Sequence, residues 1–228
     1  MKIDIITLFP SMYSGFLNES IIKRAINKNL ISINIHNLRD YSTDKFNRVD
    51  DYQIGGGAGM VIMPEPVFNA IESIKTSNSF VIMLTPQGVK YNQKIAYDLS
   101  EYKHLILLCG HYEGFDERIL SIVDMELSIG DYILTGGELA SMIVTDSIVR
   151  LVDGVIEKES HENETFNNNL LDYPVYTKPI DFRGIIVPDV LLSGHHENIR
   201  KWRYEQSFKK TQKVRPDLLE MGNVNEKK

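Results

Sequence analysis

Three short apolar runs in this chain each break into a segment that contains glycine. The runs are Phe80–Leu84, Leu105–Cys109 and Met125–Ile129, and the segments that follow them are 85–88, 110–114 and 130–137. Runs of this kind are typical of buried parallel strands. Glycine weakens strands and helices, so its recurrence here indicates tight turns or a backbone that closely approaches a ligand. Ligands of open α/β sheets bind at the carboxyl ends of the strands, so three such turns predict one shared pocket. The alternative is three ordinary tight turns.

Strand and helix signals alternate over the first 160 residues. Further strands are predicted at Lys2–Leu8 and Ile31–His36, and helices at Gly15–Asn29, Asn92–Ser100, Glu117–Val123 and Glu138–Leu151. This alternation predicts an α/β fold with a parallel sheet.

Two polar stretches have no such pattern, namely Arg39–Gly59 and Glu157–Asn169. The second indicates an interdomain linker. We therefore divide the chain into an α/β domain at 1–158, a flexible linker at 159–171 and a small helical domain at 172–228.

The charge is distributed unevenly. The net charge of the 228 residues is −6, yet residues 195–216 contain seven Lys and Arg against two Glu. A basic helix, Glu197–Lys210, on an acidic body predicts contact with a polyanion such as RNA, and the alternative is a solvated helix face. Trp202 could stack on an RNA base. We favour the alternative, in which Trp202 forms an apolar stripe with Ile199 and Phe208 and packs this helix against the rest of the protein.

Several classes of function are disfavoured. The chain has neither GxGxxG nor GxxxxGK[ST], which speaks against a nicotinamide oxidoreductase and against a nucleoside-triphosphate cradle. Without phosphates to hold, the pocket would suit a neutral, flat ligand such as an adenine. No metal motif such as HExxH or CxxC is present. The single cysteine, Cys109, favours a reducing, cytoplasmic setting, and neither a signal peptide nor a membrane span is indicated.

One carboxylate is a candidate general base. Asp172 lies between Leu170-Leu171 and Tyr173-Pro174, and partial burial among such residues would raise its pKa towards that role. The alternative is an aspartate that caps a turn.

The order of these segments resembles a known family. The segments that match are Ile5–Pro10, Val49–Tyr52, Gly55–Met60, Leu84–Gly88, Cys109–Arg118, Ser128–Ala140, Leu170–Pro174 and Ser193–Arg203. They resemble the bacterial tRNA (guanine-N1)-methyltransferases of the knotted SPOUT class. These enzymes methylate guanosine 37, which is 3′ to the anticodon, with S-adenosylmethionine. The resemblance covers essentially the whole chain.

The resemblance implies a C-terminal trefoil knot within the N-terminal domain, tRNA binding by 172–228, and a homodimer with active sites at the subunit interface. It implies that Asp172 is the catalytic base and that Arg150 assists it. It also suggests assistance by Mg²⁺, for which Glu113 is the candidate ligand. The implied cofactor-binding residues are Pro86, Gly110, Tyr112, Glu113, Ile129, Gly130, Asp131, Tyr132, Ile133, Leu134, Gly136 and Gly137.

Two other functions stay open at this point. A related knotted methyltransferase could act on another RNA, although the match at 170–203 lies outside the cofactor segments and still favours this family. A noncatalytic RNA-binding module would need neither the 128–140 segment nor Asp172.

Overall fold

The structure is a computed structural model that describes residues 1–157, 165–166 and 169–219. The chain divides into two compact units, Met1–Glu157 and Lys158–Lys228. Residues 159–164 and 167–168 of the predicted linker lie outside the described residues, as do residues 220–228 of the predicted helical domain.

The first unit contains a five-stranded parallel sheet. Its strands are β1 (Lys2–Thr7), β2 (Ser32–Asn37), β5 (Ser79–Lys90), β6 (His104–Cys109) and β7 (Met125–Ser128), in the order β2-β1-β6-β5-β7. A separate antiparallel pair is formed by β3 (Asp50–Tyr52) and β4 (Met60–Ile62). The predicted α/β fold with a parallel central sheet is confirmed.

The central strand β6 explains why the sequence shows continuous apolar runs rather than alternation. All six of its residues are buried. Leu105, Leu107 and Cys109 belong to one hydrophobic core, and Ile106 and Leu108 belong to the other. Successive side chains of a strand point to opposite faces, so a strand covered on both faces must be apolar throughout.

Helices cover both faces of the sheet. They are α1 (Ser14–Leu17), α2 (Ser20–Asn27), α3 (Pro64–Ile74), α4 (Gln93–Ser100) and α5 (Glu138–Val149), with 3₁₀ helices at Pro10–Tyr13, Leu38–Tyr41 and Glu117–Ile122. Residues of α2, α4 and α5 pack in the first core, and residues of α3 pack in the second. The sequence analysis did not predict α3, although Pro64 and Glu65 in its first turn are typical of a helix start.

Three local predictions were wrong. The predicted helix Gly15–Asn29 is two helices, because the backbone of Glu19 is extended at φ −129° and ψ 159°. The predicted turn at 85–88 is a bulge inside β5, since Leu84 and Val89 both pair with Leu127. The stretch Arg39–Gly59, predicted to be irregular, contains β3, which pairs with β4 after the glycine run.

The second unit contains a short hairpin and a long helix. The hairpin pairs β8 (Asp181–Phe182) with β9 (Ile185–Ile186), and α6 (Asp189–Leu192) precedes α7 (His196–Val214). Residues 216–219 are also helical. The predicted basic helix Glu197–Lys210 is present within α7.

Candidate active site

The three glycine-containing segments meet around one cavity of about 560 Å³. The bulge of β5, the residues after β6 and the loop after β7 each contribute to its wall. Eleven of the twelve predicted cofactor-binding residues line it: Pro86, Gly110, Tyr112, Glu113, Ile129, Gly130, Tyr132, Ile133, Leu134, Gly136 and Gly137. The exception, Asp131, is exposed and pairs with Lys90 at 2.8 Å.

Two of these segments are in direct backbone contact at Gly137. Its N–H donates to the carbonyl oxygen of Gly110 at 2.8 Å. A Cβ on Gly137 would lie 2.8 Å from both Cys109 Cα and Gly110 N. Carbon atoms in contact are ordinarily separated by about 3.5–4 Å, so this approach requires glycine. The glycine therefore brings the start of α5 against the end of β6.

The loop after β7 turns at a second glycine. Gly130 has φ +151°, and a Cβ there would lie 2.6 Å from Cε1 of Tyr132. Tyr132 and Ile133 follow on the rim of the cavity, and Ile133 is 79% exposed. An exposed isoleucine beside a cavity provides an apolar surface on which a flat ligand can pack.

Glu113, which lines the cavity, also contacts the antiparallel pair of β3 and β4 and the glycine run between them. Glu113 N donates to the carbonyl oxygen of Met60 in β4 at 3.0 Å. A Cβ on Gly59 would lie 2.5 Å from Glu113 Cγ. The sequence analysis did not connect these two segments, because the contact joins residues on different elements.

The apolar part of the wall suits the flat ligand, such as an adenine, that the sequence predicts. Leu84, Leu127, Ile129 and Leu134 line the cavity together with backbone segments at the glycines, as expected of a site for a flat apolar base. Across the described ranges, no group of three or more His, Cys, Asp or Glu is placed to hold a metal ion. Glu113 is therefore not part of a cluster of three such residues within these ranges.

A buried polar group that the sequence analysis did not assign lies behind the cavity. Glu138, the first residue of α5, is 1% exposed. It bonds to His111 and to Thr7. The signal in the sequence is a glutamate directly after two glycines at the start of an apolar helix.

A second buried polar cluster lies within the first core, below the cavity. The Tyr13 hydroxyl bonds to Ser141 Oγ at 2.6 Å and lies 3.4 Å from Cys109 Sγ. Burial raises the pKa of the Cys109 thiol to about 12. The thiol is therefore protonated at neutral pH and is not a nucleophile.

The predicted catalytic pair is divided between the two units. Arg150 is half-buried and directly follows α5 in the first unit. The expected partial burial of Asp172 is wrong: the residue is exposed in the second unit, where its N–H donates to Thr165 Oγ1 at 3.2 Å. The preceding residue, Leu171, donates its N–H to Thr211 Oγ1 in α7 at 2.8 Å, so the backbone beside Asp172 is anchored to the basic helix.

The basic helix α7 presents its charge to solvent. Its exposed cationic residues are Arg200, Lys201, Arg203, Lys209, Lys210 and Lys213. The residues that it buries are Ser207 and Thr211, while Phe208 is 39% exposed. The predicted docking stripe is therefore wrong at Phe208. Trp202 is half-buried, with its ring centroid 6.5 Å from that of Tyr176.

Comparison with known proteins identifies the family. The family model for tRNA (Guanine-1)-methyltransferase TrmD matches residues 1–221. A tRNA (guanine-N(1)-)-methyltransferase of Mycoplasma mycoides is 60% identical over 226 residues, which are 99% of this chain and 94% of the relative. Enzymes with the same name from Ureaplasma urealyticum and Staphylococcus haemolyticus are 56% and 54% identical, over 96% and 99% of this chain and 97% and 94% of their own lengths. A separate observation is that none of the helices in the described part of the chain could span a membrane.

Because the family model covers residues 1–221 and these relatives are 54–60% identical, the chain belongs to the tRNA (guanine-1)-methyltransferase family of enzymes.

Proposed function

We propose that this protein transfers the methyl group of S-adenosylmethionine to N1 of guanosine 37, the guanosine 3′ to the anticodon of tRNA. The observation that carries the proposal is the cavity at the carboxyl edge of the sheet, whose wall contains eleven of the predicted cofactor-binding residues. The proposal includes the trefoil knot, which the resemblance to the knotted methyltransferases implies for the segments at that edge. It places the reaction in the cytoplasm, in keeping with the single reduced cysteine.

The residues of the chain perform the proton chemistry. When bound, S-adenosylmethionine supplies a methyl group on a positively charged sulfur. Guanine N1 bears a proton and is a poor nucleophile, so Asp172 would accept that proton as N1 bonds to the methyl carbon. The bond between that carbon and the sulfur would break, and the donor would leave as a neutral thioether. Negative charge develops at O6 of the base, and the guanidinium of Arg150 stabilises it. The walls of the cavity orient the methyl donor, and the target base leaves its stack to reach it.

The tRNA is held by the exposed cations of α7. Clustered lysine and arginine residues attract phosphates and make the affinity dependent on salt. Because Leu171 is bonded to Thr211 of this helix, tRNA bound to α7 also lies close to Asp172. The same element thus supports both substrate binding and the placement of the base.

A homodimer completes the proposal. Phe9, Met12, Leu139 and Ile143 in the first unit are each between 45% and 50% exposed. Three of them line a second cavity of about 350 Å³, which shares His111, Thr135 and Gly136 with the larger one. An apolar surface beside the site favours a partner subunit there, and that partner provides the Asp172 of the shared site.

Methyl transfer to tRNA transcripts tests the reaction. Labelled S-adenosylmethionine is incubated with transcripts that carry guanosine or another base at position 37. We expect label in N1-methylguanosine only when guanosine is present. Transfer to neither transcript would indicate an RNA-binding module, and equal transfer to both would indicate a related methyltransferase with another target.

Mixed dimers test the shared site. Asp172→Asn keeps the shape of the side chain and removes the base, so we expect a loss of turnover of about 10²-fold or more. Gly130→Val places a side chain at φ +151°, against Tyr132, and should block the cavity. A dimer of one chain of each kind retains one intact site if base and cavity come from different subunits. An inactive mixed dimer of folded chains would contradict the shared site.

A further inference from the structure

A buried carboxylate connects the end of the first strand to the wall of the cavity. The two oxygens of Glu138 bond to different parts of the fold. Oε1 accepts a hydrogen bond from Thr7 Oγ1 at 2.6 Å, and Oε2 lies 2.6 Å from Nε2 of His111. A buried carboxylate is costly unless it is hydrogen-bonded, so these two bonds fix the positions of all three side chains.

His111 transmits this constraint to the cavity. Its side chain lines the wall and packs edge-on against Phe9, with ring centroids 4.9 Å apart. It also lies directly against Gly136, where a Cβ would be 2.1 Å from His111 Cε1. The two residues form an antiparallel bridge. The orientation of the imidazole therefore sets the separation of the segments 110–114 and 130–137.

Thr7 acts from outside the cavity. It is 1% exposed and ends β1, and its hydroxyl oxygen accepts a hydrogen bond from Phe9 N at 2.9 Å. It is absent from the described lining of the cavity. An effect of this hydroxyl on a ligand in the cavity must therefore be indirect, through Glu138 or Phe9, both of which contact His111.

We propose that Glu138 and Thr7 are positioning residues for binding of the methyl donor. They hold His111 against Gly136, and this contact keeps the two wall segments at the separation that the ligand requires. The inference rests on the proposed function, because it takes S-adenosylmethionine to be the ligand of the cavity. It assigns a functional effect to a threonine that the ligand does not touch.

Calorimetric titration of the full chain with S-adenosylmethionine tests the proposal. Thr7→Val removes the hydroxyl at nearly constant volume, together with its bonds to Glu138 and Phe9. We expect it to weaken binding by about threefold to tenfold, since only the bond to Glu138 supports His111 directly. Glu138→Gln replaces the charged acceptor by an amide, and we expect it to weaken binding by about tenfold or more. Thr7→Ser retains the hydroxyl and should restore the wild-type affinity.

Ser141→Ala is the matched control for a general loss of stability. Ser141 lies in the same helix, three residues after Glu138, and is fully buried. Its hydroxyl bonds to Tyr13 at 2.6 Å and donates to the backbone carbonyl oxygen of Glu138 at 2.7 Å, so Ser141→Ala leaves the Glu138 carboxylate with its bonds to Thr7 and His111. It is not among the described residues that line the cavity. We expect Ser141→Ala to lower the urea midpoint about as much as Thr7→Val does, with unchanged affinity for S-adenosylmethionine.

The outcomes separate the two proposals. Wild-type affinity in Thr7→Val would overturn the positioning role, and so would an equal loss of affinity in Ser141→Ala. If the wild-type protein itself binds no S-adenosylmethionine, the proposed function fails first, and the positioning role falls with it. Weakened binding in Thr7→Val, restored in Thr7→Ser and absent from Ser141→Ala, supports the positioning role.

Discussion

Replacing Gly137 by alanine tests how tightly the cavity wall is packed. The backbone of Gly137 has φ −81° and ψ −6°, a conformation that alanine adopts readily. The cost of the substitution therefore comes from space alone. The new Cβ would stand 2.8 Å from Cys109 Cα and Gly110 N, so the start of α5 and the end of β6 must separate by roughly 1 Å to reach ordinary contact.

The expected magnitude follows from two opposing terms. Forcing a methyl group into a well-packed site costs about 1–3 kcal/mol. Alanine in place of glycine also restricts the unfolded chain, which returns about 0.4–1 kcal/mol. We therefore expect Gly137→Ala to lower the free energy of unfolding by about 1–2 kcal/mol. The hydrogen bond from Gly137 to Gly110 should also be strained, which would weaken binding of S-adenosylmethionine.

Gly15→Ala provides the matched control. Gly15 lies in α1, and no atom stands within 4 Å of the position of its Cβ. The same change in composition should therefore leave the free energy of unfolding unchanged or raise it by up to about 1 kcal/mol. Urea unfolding and calorimetry on both variants make the comparison. Equal stability and wild-type affinity in Gly137→Ala would refute the close-packing argument.

Three further predictions concern other parts of the chain. Burial alone would raise the pKa of Asp4, but hydrogen bonds, led by that from Lys2, lower it to about 2. The resulting stabilisation of about 2 kcal/mol is present above the ordinary pKa of 3.8 and is lost as pH falls towards 2. The difference in free energy of unfolding between wild type and Asp4→Asn should therefore shrink over that pH range, as measured by urea unfolding at a series of acid pH values. The buried thiol of Cys109 should resist iodoacetamide at pH 8 until the protein unfolds, and rapid labelling of the native protein would contradict its high pKa. Charge reversal at Lys209 and Lys210 should reduce the slope of log affinity for tRNA against log salt concentration by roughly one unit or less per lysine. The affinity for S-adenosylmethionine should not change. A slope equal to that of wild type would indicate that α7 is only a solvated helix.

The sequence predicted the parts of the fold that depend on local pattern. Apolar runs such as Leu105–Cys109 correspond to buried strands, because a strand covered on both faces must be apolar throughout. The prediction failed where a local pattern and its tertiary surroundings disagree. The glycine of 85–88 indicated a turn, yet Gly88 permits a close approach between strands, since a Cβ there would lie 2.4 Å from the backbone of Glu126.

The candidate site was also predicted only where it depends on local sequence pattern. Glycines that follow strands are visible in sequence, and the cavity forms where they meet. The bond between Thr7 and Glu138 joins residues 131 positions apart, and no periodicity or spacing indicates such a pair. The buried residues of α7, Ser207 and Thr211, were missed because small polar side chains do not stand out as a docking face.

The position of β1 in the sheet has a consequence for synthesis of the chain. β1 lies between β2 and β6, so it can pair with β2 once residue 37 has been made. Its other edge has no partner until His104–Cys109 emerges from the ribosome. At about 5–20 residues per second, that interval lasts on the order of several seconds. During this time an apolar strand with free backbone groups is exposed to other nascent chains. β1 is therefore the strand of this sheet whose second edge waits longest for its partner during translation.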